Sequence, residues 1–351
     1  MDEIIKESFY KQVLQLFQNA KKSVAAAVNT TMVYSYYEAG RIIVEEEQQG
    51  KNRAEYGKYI LRQLSDKLTK ELGRGFSYEN LKLMRKFYMV YSKDSIGETA
   101  FTQSEQLPIT REGRKFYLSW SHYLILMRIT NEDERHFYEI ESYRNGWNKN
   151  ELGRQYGSSL YERLALSRDK NEVMKLAQEG QVIESPEDIF KDPYVLEFTG
   201  LPELASYSES ELEEKIIDHL QQFLLELGRG FTFVGRQVRF TFEEDHYRVD
   251  LVTYNRLLRC FVLFDLKIGK LKHEDIGQMQ MYVNYYDRYE KVEDENPTIG
   301  ILLCKENNDA LVEITLPQDA NIYASEYKLY LPDKKLLQDK LRQWIEEADV
   351  E

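Results

Sequence analysis

The chain has 351 residues, 42% of them hydrophobic and 30% charged, which is enough for two ordinary domains that each bury a core. No apolar run reaches the roughly 20 residues of a membrane span. The only cysteines, Cys260 and Cys304, sit in apolar runs, which argues against a disulfide frame or a cysteine zinc site.

The formal net charge of −13 is unevenly laid. Residues 1–180 hold 28 basic against 25 acidic side chains, and the remainder hold 19 against 35. Within the first half, residues 58–93 carry nine basic and three acidic groups. Such asymmetry points to partners rather than to fold. The opening MDEIIKESFY lacks the basic and then apolar profile of a secretion signal, so a cytoplasmic location is expected.

Residues 1–180 read as a mostly helical domain. Apolar positions recur with helical period in Phe9 to Phe17, Met32 to Val44, Tyr59 to Leu68 and Leu81 to Tyr91. Gly73-Arg74-Gly75 breaks the pattern, and Ser77 with Asn80 offers a fresh helix start. The helix after that break displays Lys82, Arg85 and Lys86, with Asn80 near its start. The pair has the look of a helix-turn-helix, whose second helix enters a major groove while basic side chains meet phosphates. Many helical pairs look like this, so the pattern is unspecific taken alone. The stretch 94–115 is polar and irregular, a loop. Helical pattern resumes through Trp120 to Ile129, Glu132 to Asn145 and Leu152 to Leu166.

Residues 181–207 carry Pro186, Pro193, Pro202 and Gly200 with almost no periodicity, and read as a linker. Ser208 with Glu211 three residues later makes a capping box, opening a helix to about Leu227. Strand-like runs follow at Thr232–Phe242, Tyr247–Tyr254 and Arg259–Lys267. A helix over His273–Tyr289, a strand over Thr298–Cys304 and a last helix near Asp333–Glu347 complete the pattern. Residues 208–351 are thus an α/β domain with a mixed sheet, and the whole chain is an α+β protein of two domains.

The chemistry gathers in the strands. Asp265 and Lys267 stand two apart in an extended segment and share a face with Phe261 and Leu263, where a buried charge is expensive unless partnered. Asp250 interrupts the preceding strand, and the connector Asn255-Arg256-Leu257-Leu258 is short enough to make the two strands a hairpin. On the helix opening at Ser208, Glu213 lies on the rim of the arc of Leu212, Ile216, Leu220, Phe223 and Leu227. Glu211, Glu214 and Asp218 face solvent. Carboxylates converging beside one lysine suit phosphodiester hydrolysis. Oxygen ligands select Mg²⁺ or Mn²⁺, and an amine alongside orients the water or offsets charge on phosphorus.

Plainer readings stand beside these. Asp265 and Lys267 could form a surface salt bridge, Asp250 a strand-edge acid, and Glu213 a helix-rim charge. Gln278 and Tyr282 could be ordinary half-buried polar residues. None of the five histidines shows metal-ligand spacing.

Glu213, Asp250 and Asp265-Leu266-Lys267 resemble the E…D…(D/E)xK signature of the PD-(D/E)XK nuclease superfamily, and the element order is similar to its αβββαβ core. Gln278 and Tyr282, one helical turn apart, resemble the QxxxY motif of some branches, where it lies near the catalytic lysine and bound nucleic acid. The run VDLVTYNRLLRCFVLFDLKIGKLKHEDIGQMQMYVNYYD is similar to a bacterial family of YhcG-like proteins. So are YGKYILRQLSDKLTKELGRGFSYENLKLMRKFY and LSWSHYLILMRI, which extends the resemblance over nearly the whole chain.

That resemblance implies a restriction-endonuclease-like C-terminal domain behind a helical, winged-helix-like N-terminal one. It implies Glu213, Asp250 and Asp265 as ligands of Mg²⁺ or Mn²⁺, with Lys267, Gln278 and Tyr282 completing the catalytic set. DNA is the expected substrate, and Asn80, Lys82, Arg85 and Lys86 are the expected contacts to it, with a homodimer or a larger DNA-processing complex as possible assemblies. The alternative is a catalytically silent nucleic-acid-binding or adaptor protein within a restriction or recombination complex.

Overall fold

A computed structural model describes residues 2–49, 53–92, 110, 114–166, 170–189, 191, 193–202, 207–306, 309–316, 320–331 and 333–348. The predicted loop at 94–115 lies outside these apart from 110, 114 and 115. The described residues fall into two units, one drawn from 1–153 and 177–180, the other from 154–176 and 181–351. No described helix is long and apolar enough to cross a membrane.

The first unit is built of helices α1 (Asp2–Gln49), α2 (Arg53–Leu72), α3 (Tyr78–Tyr91), α4 (Trp120–Leu126) and α5 (Glu132–Arg144). Its centre is aromatic. Tyr37, Phe87, Tyr91, Phe116 and Tyr123 are all but fully buried, with Phe87 and Phe116 ring centroids 4.9 Å apart. Such rings each bury a large apolar area and prefer these tilted geometries. A second cluster, Ile43, Leu61, Leu81 and Met84, joins α1, α2 and α3. Ser77 caps α3 by accepting from the Asn80 N–H, as its sequence position predicts, and a short 3₁₀ turn, Arg74–Phe76, fills the glycine break. The α1–α3 crossing is tight at Gly40, where an added Cβ would stand 2.1 Å from the Met84 carbonyl oxygen.

The stretch read as one helix over Leu152–Leu166 is two, α6 (Lys149–Gly157) and α7 (Leu160–Leu166). Ser159, with φ 56, takes the left-handed conformation between them, which a helix cannot continue through. Helix α8 (Lys170–Glu179) follows.

The second unit carries a six-stranded sheet in the order β1-β6-β5-β4-β3-β2. The strands are β1 (Tyr194–Val195), β2 (Phe231–Phe242), β3 (Asp245–Asn255), β4 (Cys260–Lys270), β5 (Ile299–Glu306) and β6 (Ile322–Lys328). Neighbours β2, β3 and β4 run antiparallel, while β4, β5, β6 and β1 run parallel, so the sheet is mixed as expected. Its helices are α9 (Glu209–Asp218), α10 (Leu220–Leu227), α11 (His273–Tyr285), α12 (Asp309–Thr315) and α13 (Lys334–Ala348).

Alternation along the strands divides two cores. Val262, Phe264, Leu266, Ile301 and Leu303 pack with Leu212, Ile216, Phe223 and Leu227 of α9 and α10. Leu263, Leu302 and Cys304 point the other way, onto Ile276, Met279, Tyr282 and Val283 of α11.

Further elements depart from the sequence reading. The helix from Ser208 breaks at His219, whose φ −116 and ψ 34 leave the helical region. Strand β6 and helix α12 went unread. Tyr194 and Val195, inside the stretch read as a linker, pair parallel with Tyr327 and Lys328. A two-residue strand has no periodicity of its own, and pairing more than a hundred residues away creates it.

Candidate functional site

Strand β4 brings Asp265 and Lys267 to the α11 face of the sheet, in line with Leu263. Asp265 is buried, at 2% exposure, and Lys267 is half-buried beside it. The ammonium lies 2.9 Å from Asp265 Oδ2 and 3.9 Å from Asp275 Oδ1. The closer contact is an ion pair without hydrogen-bond geometry, so Asp265 Oδ2 is buried with no hydrogen bond.

Asp250, half-buried on β3, accepts a hydrogen bond at Oδ2 from the Leu266 N–H, at 2.8 Å. Its other oxygen accepts from Gln237 Nε2 at 3.0 Å, and the same nitrogen donates to Glu213 Oε2. Glu213, on the second turn of α9, is 7% exposed and aimed at the sheet as its rim position predicts. Its helix is started by the expected capping box, in which Ser208 Oγ accepts from the Glu211 N–H and Glu211 Oε2 accepts from the Ser208 N–H. One amide thus ties the helix acid to the hairpin acid. On α11, Gln278 donates to the Tyr282 hydroxyl, and Tyr282 is buried in the core beneath.

The electrostatics follow from this crowding. Burial, and then the Asp250 charge, push the Asp265 carboxyl up to about 7 against the pull of Lys267. Burial, aided by Asp250, also raises Glu213, while the hydrogen bond from Gln237 and the charge of Arg236 work the other way. For Lys267, burial opposes the charge, but Asp265, Glu209 and Asp275 outweigh it and hold the ammonium above its ordinary range. Tyr282 is pushed up to about 12 by burial and by the neighbouring Asp265.

Among the described residues no three acidic, histidine or cysteine side chains stand at the spacing that holds a metal ion. The physical reason is visible. The Gln237 amide lies between Glu213 and Asp250, and Asp265 faces Lys267. The donors nevertheless suit a hard divalent cation. All are carboxylate oxygens, and the buried Asp265 Oδ2 lacks a hydrogen bond.

Sequence reasoning missed Gln237, Glu209 and Asp275. The register could have exposed Gln237, because Arg236 pairs with Leu251 and Val238 with Val249, which sets Gln237 opposite Asp250. Asp275 stands in the first turn of α11, where its Oδ2 accepts from the Lys272 N–H.

In the first unit, the candidate nucleic-acid residues share the N-terminal part of α3. Asn80 turns back to donate to the Gly75 carbonyl. Lys82 pairs with Glu79 at 3.1 Å and Arg85 with Glu47 at 2.6 Å, while Lys86 is exposed.

Residues 187–342 match the family described as YhcG PDDEXK nuclease domain, and residues 12–163 match the DUF1016 N-terminal domain. The chain is 39% identical over 351 residues to the Escherichia coli (strain K12) "Putative nuclease YhcG", covering 95% of this chain and 93% of that one. Among solved structures, a repair endonuclease from Pyrococcus abyssi aligns at TM-score 0.25 and 19% identity, over 36% of this chain and 50% of that chain. An EndoMS–dsDNA2 complex aligns at 0.26 and 19%, over 38% and 48%. The chain spans about half the length of the solved structures it matches.

Proposed function

The chain belongs to the YhcG family of PDDEXK nuclease-domain proteins, and from that premise we propose that it is a divalent-metal-dependent endonuclease acting on DNA. Glu213, Asp250 and Asp265 would hold the ion. A bound Mg²⁺ or Mn²⁺ would supply a water of lowered pKa and neutralise charge developing on the phosphorus oxygens. The observation that carries the reading is the buried Asp265 carboxylate, two residues from a half-buried lysine and beside Asp250, on a sheet face that is otherwise core. Burying charge in this way costs stability, and sites that do chemistry are where such costs are kept.

In this reading Lys267 stands as a fixed positive charge where the phosphate reacts. It offsets negative charge there without moving, which is how such groups contribute most. Tyr282 packs α11 against the β4 face on the same side, and Gln278 donates to its hydroxyl. The helical first unit would hold or choose the DNA through Asn80, Lys82, Arg85 and Lys86 on α3. Purified protein with Mg²⁺ or Mn²⁺, screened over linear, nicked, branched and single-stranded DNA, should cut at least one substrate and lose that activity with EDTA. If no DNA is cut, the reading passes to its alternative, an adaptor that keeps the fold without the reaction.

A further inference from the structure

Gln237 touches two of the three candidate ligands. It sits inside β2, yet its φ is 47, a left-handed conformation that a long, non-glycine side chain adopts only under constraint. The register of β2 on β3 has already slipped once between Phe233 and Gly235, which sets Gln237 across from Asp250. From that position its Nε2 donates to both Glu213 Oε2 and Asp250 Oδ1. A strained backbone spent on delivering one amide between two acids marks a site arrangement more than a packing one.

The chemistry of the amide supplies the rest. Two carboxylates sharing a single donor leave their mutual repulsion only partly relieved, so the amide stands where a cation would be more effective. A carboxamide carries N–H donors on one side and a carbonyl oxygen on the other, and half a turn about its last torsion exchanges them. The oxygen is a hard donor of the kind Mg²⁺ and Mn²⁺ accept.

We propose that Gln237 is a further member of the metal site. Its N–H groups hold Glu213 and Asp250 together while no cation is bound, and its carbonyl oxygen turns inward as a ligand when one binds. The inference rests on the metal reading above and adds to it a residue outside the acids and the lysine.

The test is Mn²⁺ binding to the purified full chain, by calorimetry and by electron paramagnetic resonance of the free ion, beside thermal melts in EDTA. Gln237→Leu and Gln237→Asn should bind Mn²⁺ about 10–100-fold more weakly than the parent, the range seen when a supporting metal-site residue is lost. Asn suits a positive φ better than Gln but is one methylene short. Gln237→Asn should therefore melt as the parent does, which separates loss of the ligand from loss of the fold. Gln237→Glu keeps an oxygen and gives up every N–H, so it should bind within a few-fold of the parent or tighter, and melt lower in EDTA. If the parent binds Mn²⁺ and the Leu and Asn variants bind it equally well, the inference is overturned. The same follows if Gln237→Glu binds as weakly as Gln237→Leu. If the parent fails to bind, or Asp265→Ala binds undiminished, the metal reading itself falls and this inference with it.

Discussion

Arg163 and Glu226 form an ion pair with both side chains wholly shielded from solvent, Nη1 lying 2.6 Å from Oε1. Arg163 belongs to α7, in the half of the sequence that reads as helical, and Glu226 ends α10 beside the sheet. The guanidinium also donates to the carbonyls of Ser158 and Pro193, and Glu226 Oε1 accepts from the Val195 N–H next to it. Lys191 donates to the Glu226 carbonyl, and Arg154 lies 3.8 Å from Oε2. Because Arg163 and Glu226 each bond to several partners, their burial is tolerated, and removing either leaves the other exposed to the full penalty. Arg163→Met should lower the stability of the second unit by about 3–5 kcal/mol in urea titration. A midpoint unchanged from the parent would refute the network's role.

The same carboxylate sets an acid limit. Burial works to raise Glu226, but Arg163, Lys191 and Arg154 outweigh it and hold the group below its ordinary value of 4.5. A carboxyl lowered on folding contributes stability at pH values above the ordinary one. That contribution fades as pH falls through 4.5 and is gone below the folded-state value. Melting temperatures of the parent should therefore drop as pH descends from about 5. Glu226→Gln, less stable at neutral pH, should show a shallower acid slope. Equal slopes would reject the assignment.

Gly40 predicts the reverse of helix propensity. Replacing glycine by alanine inside a helix ordinarily gains up to about 1 kcal/mol. Here the new methyl would meet the Met84 carbonyl at 2.1 Å and the Tyr88 Cβ at 3.0 Å. Gly40→Ala should therefore force α1 and α3 apart and destabilise the first unit by about 1–3 kcal/mol. Hydrogen exchange of the α3 amides is the direct reading, and protection equal to the parent's would count against the close crossing.

Asp265 should show a stability–activity conflict. Asp265→Asn removes a buried negative charge from beside Asp250, so the metal-free protein should melt higher than the parent in EDTA, while DNA cleavage disappears. Lys267→Met should lower cleavage by on the order of 10²–10³-fold, the scale of losing one preorganised electrostatic contact in a dry site. Undiminished cleavage by both variants would dissolve the catalytic assignment.

The basic helix is testable by salt. Replacing Lys82, Arg85 and Lys86 with alanine together should weaken DNA binding and reduce the slope of log affinity against log salt by up to about 3. Arg85 is held by Glu47, so part of its charge is already spent. Glu47→Gln should release it and tighten binding. If neither change alters a salt titration, α3 does not carry the nucleic acid.

Much of the second unit was legible. The three antiparallel strands, the capping box at Ser208 and α11 follow from local alternation, capping chemistry and turn residues, which act within a few positions. Helix α11 was read four residues too long, because Tyr286–Glu290 winds as a wider π turn with the same apolar face. What escaped was set at a distance. Strand β1 exists through β6, and Gln237 owes its meaning to a helix acid 24 positions earlier and a strand acid 13 later. Arg163 is wholly buried for a reason no local pattern carries, since its partner sits 63 positions further on. In the first unit, the start of α3 was readable from Ser77, whereas the aromatic centre is a property of packing.

Arg163 also dictates where this protein can be cut. A fragment begun at residue 181, the first position of the proline-rich stretch, would carry Glu226 without its guanidinium, and Lys334 and Gln338 of α13 without the Glu162 they engage. An excision meant to isolate the sheet as a working piece has to start ahead of Arg154. The helices that sequence assigns to one half travel with the other.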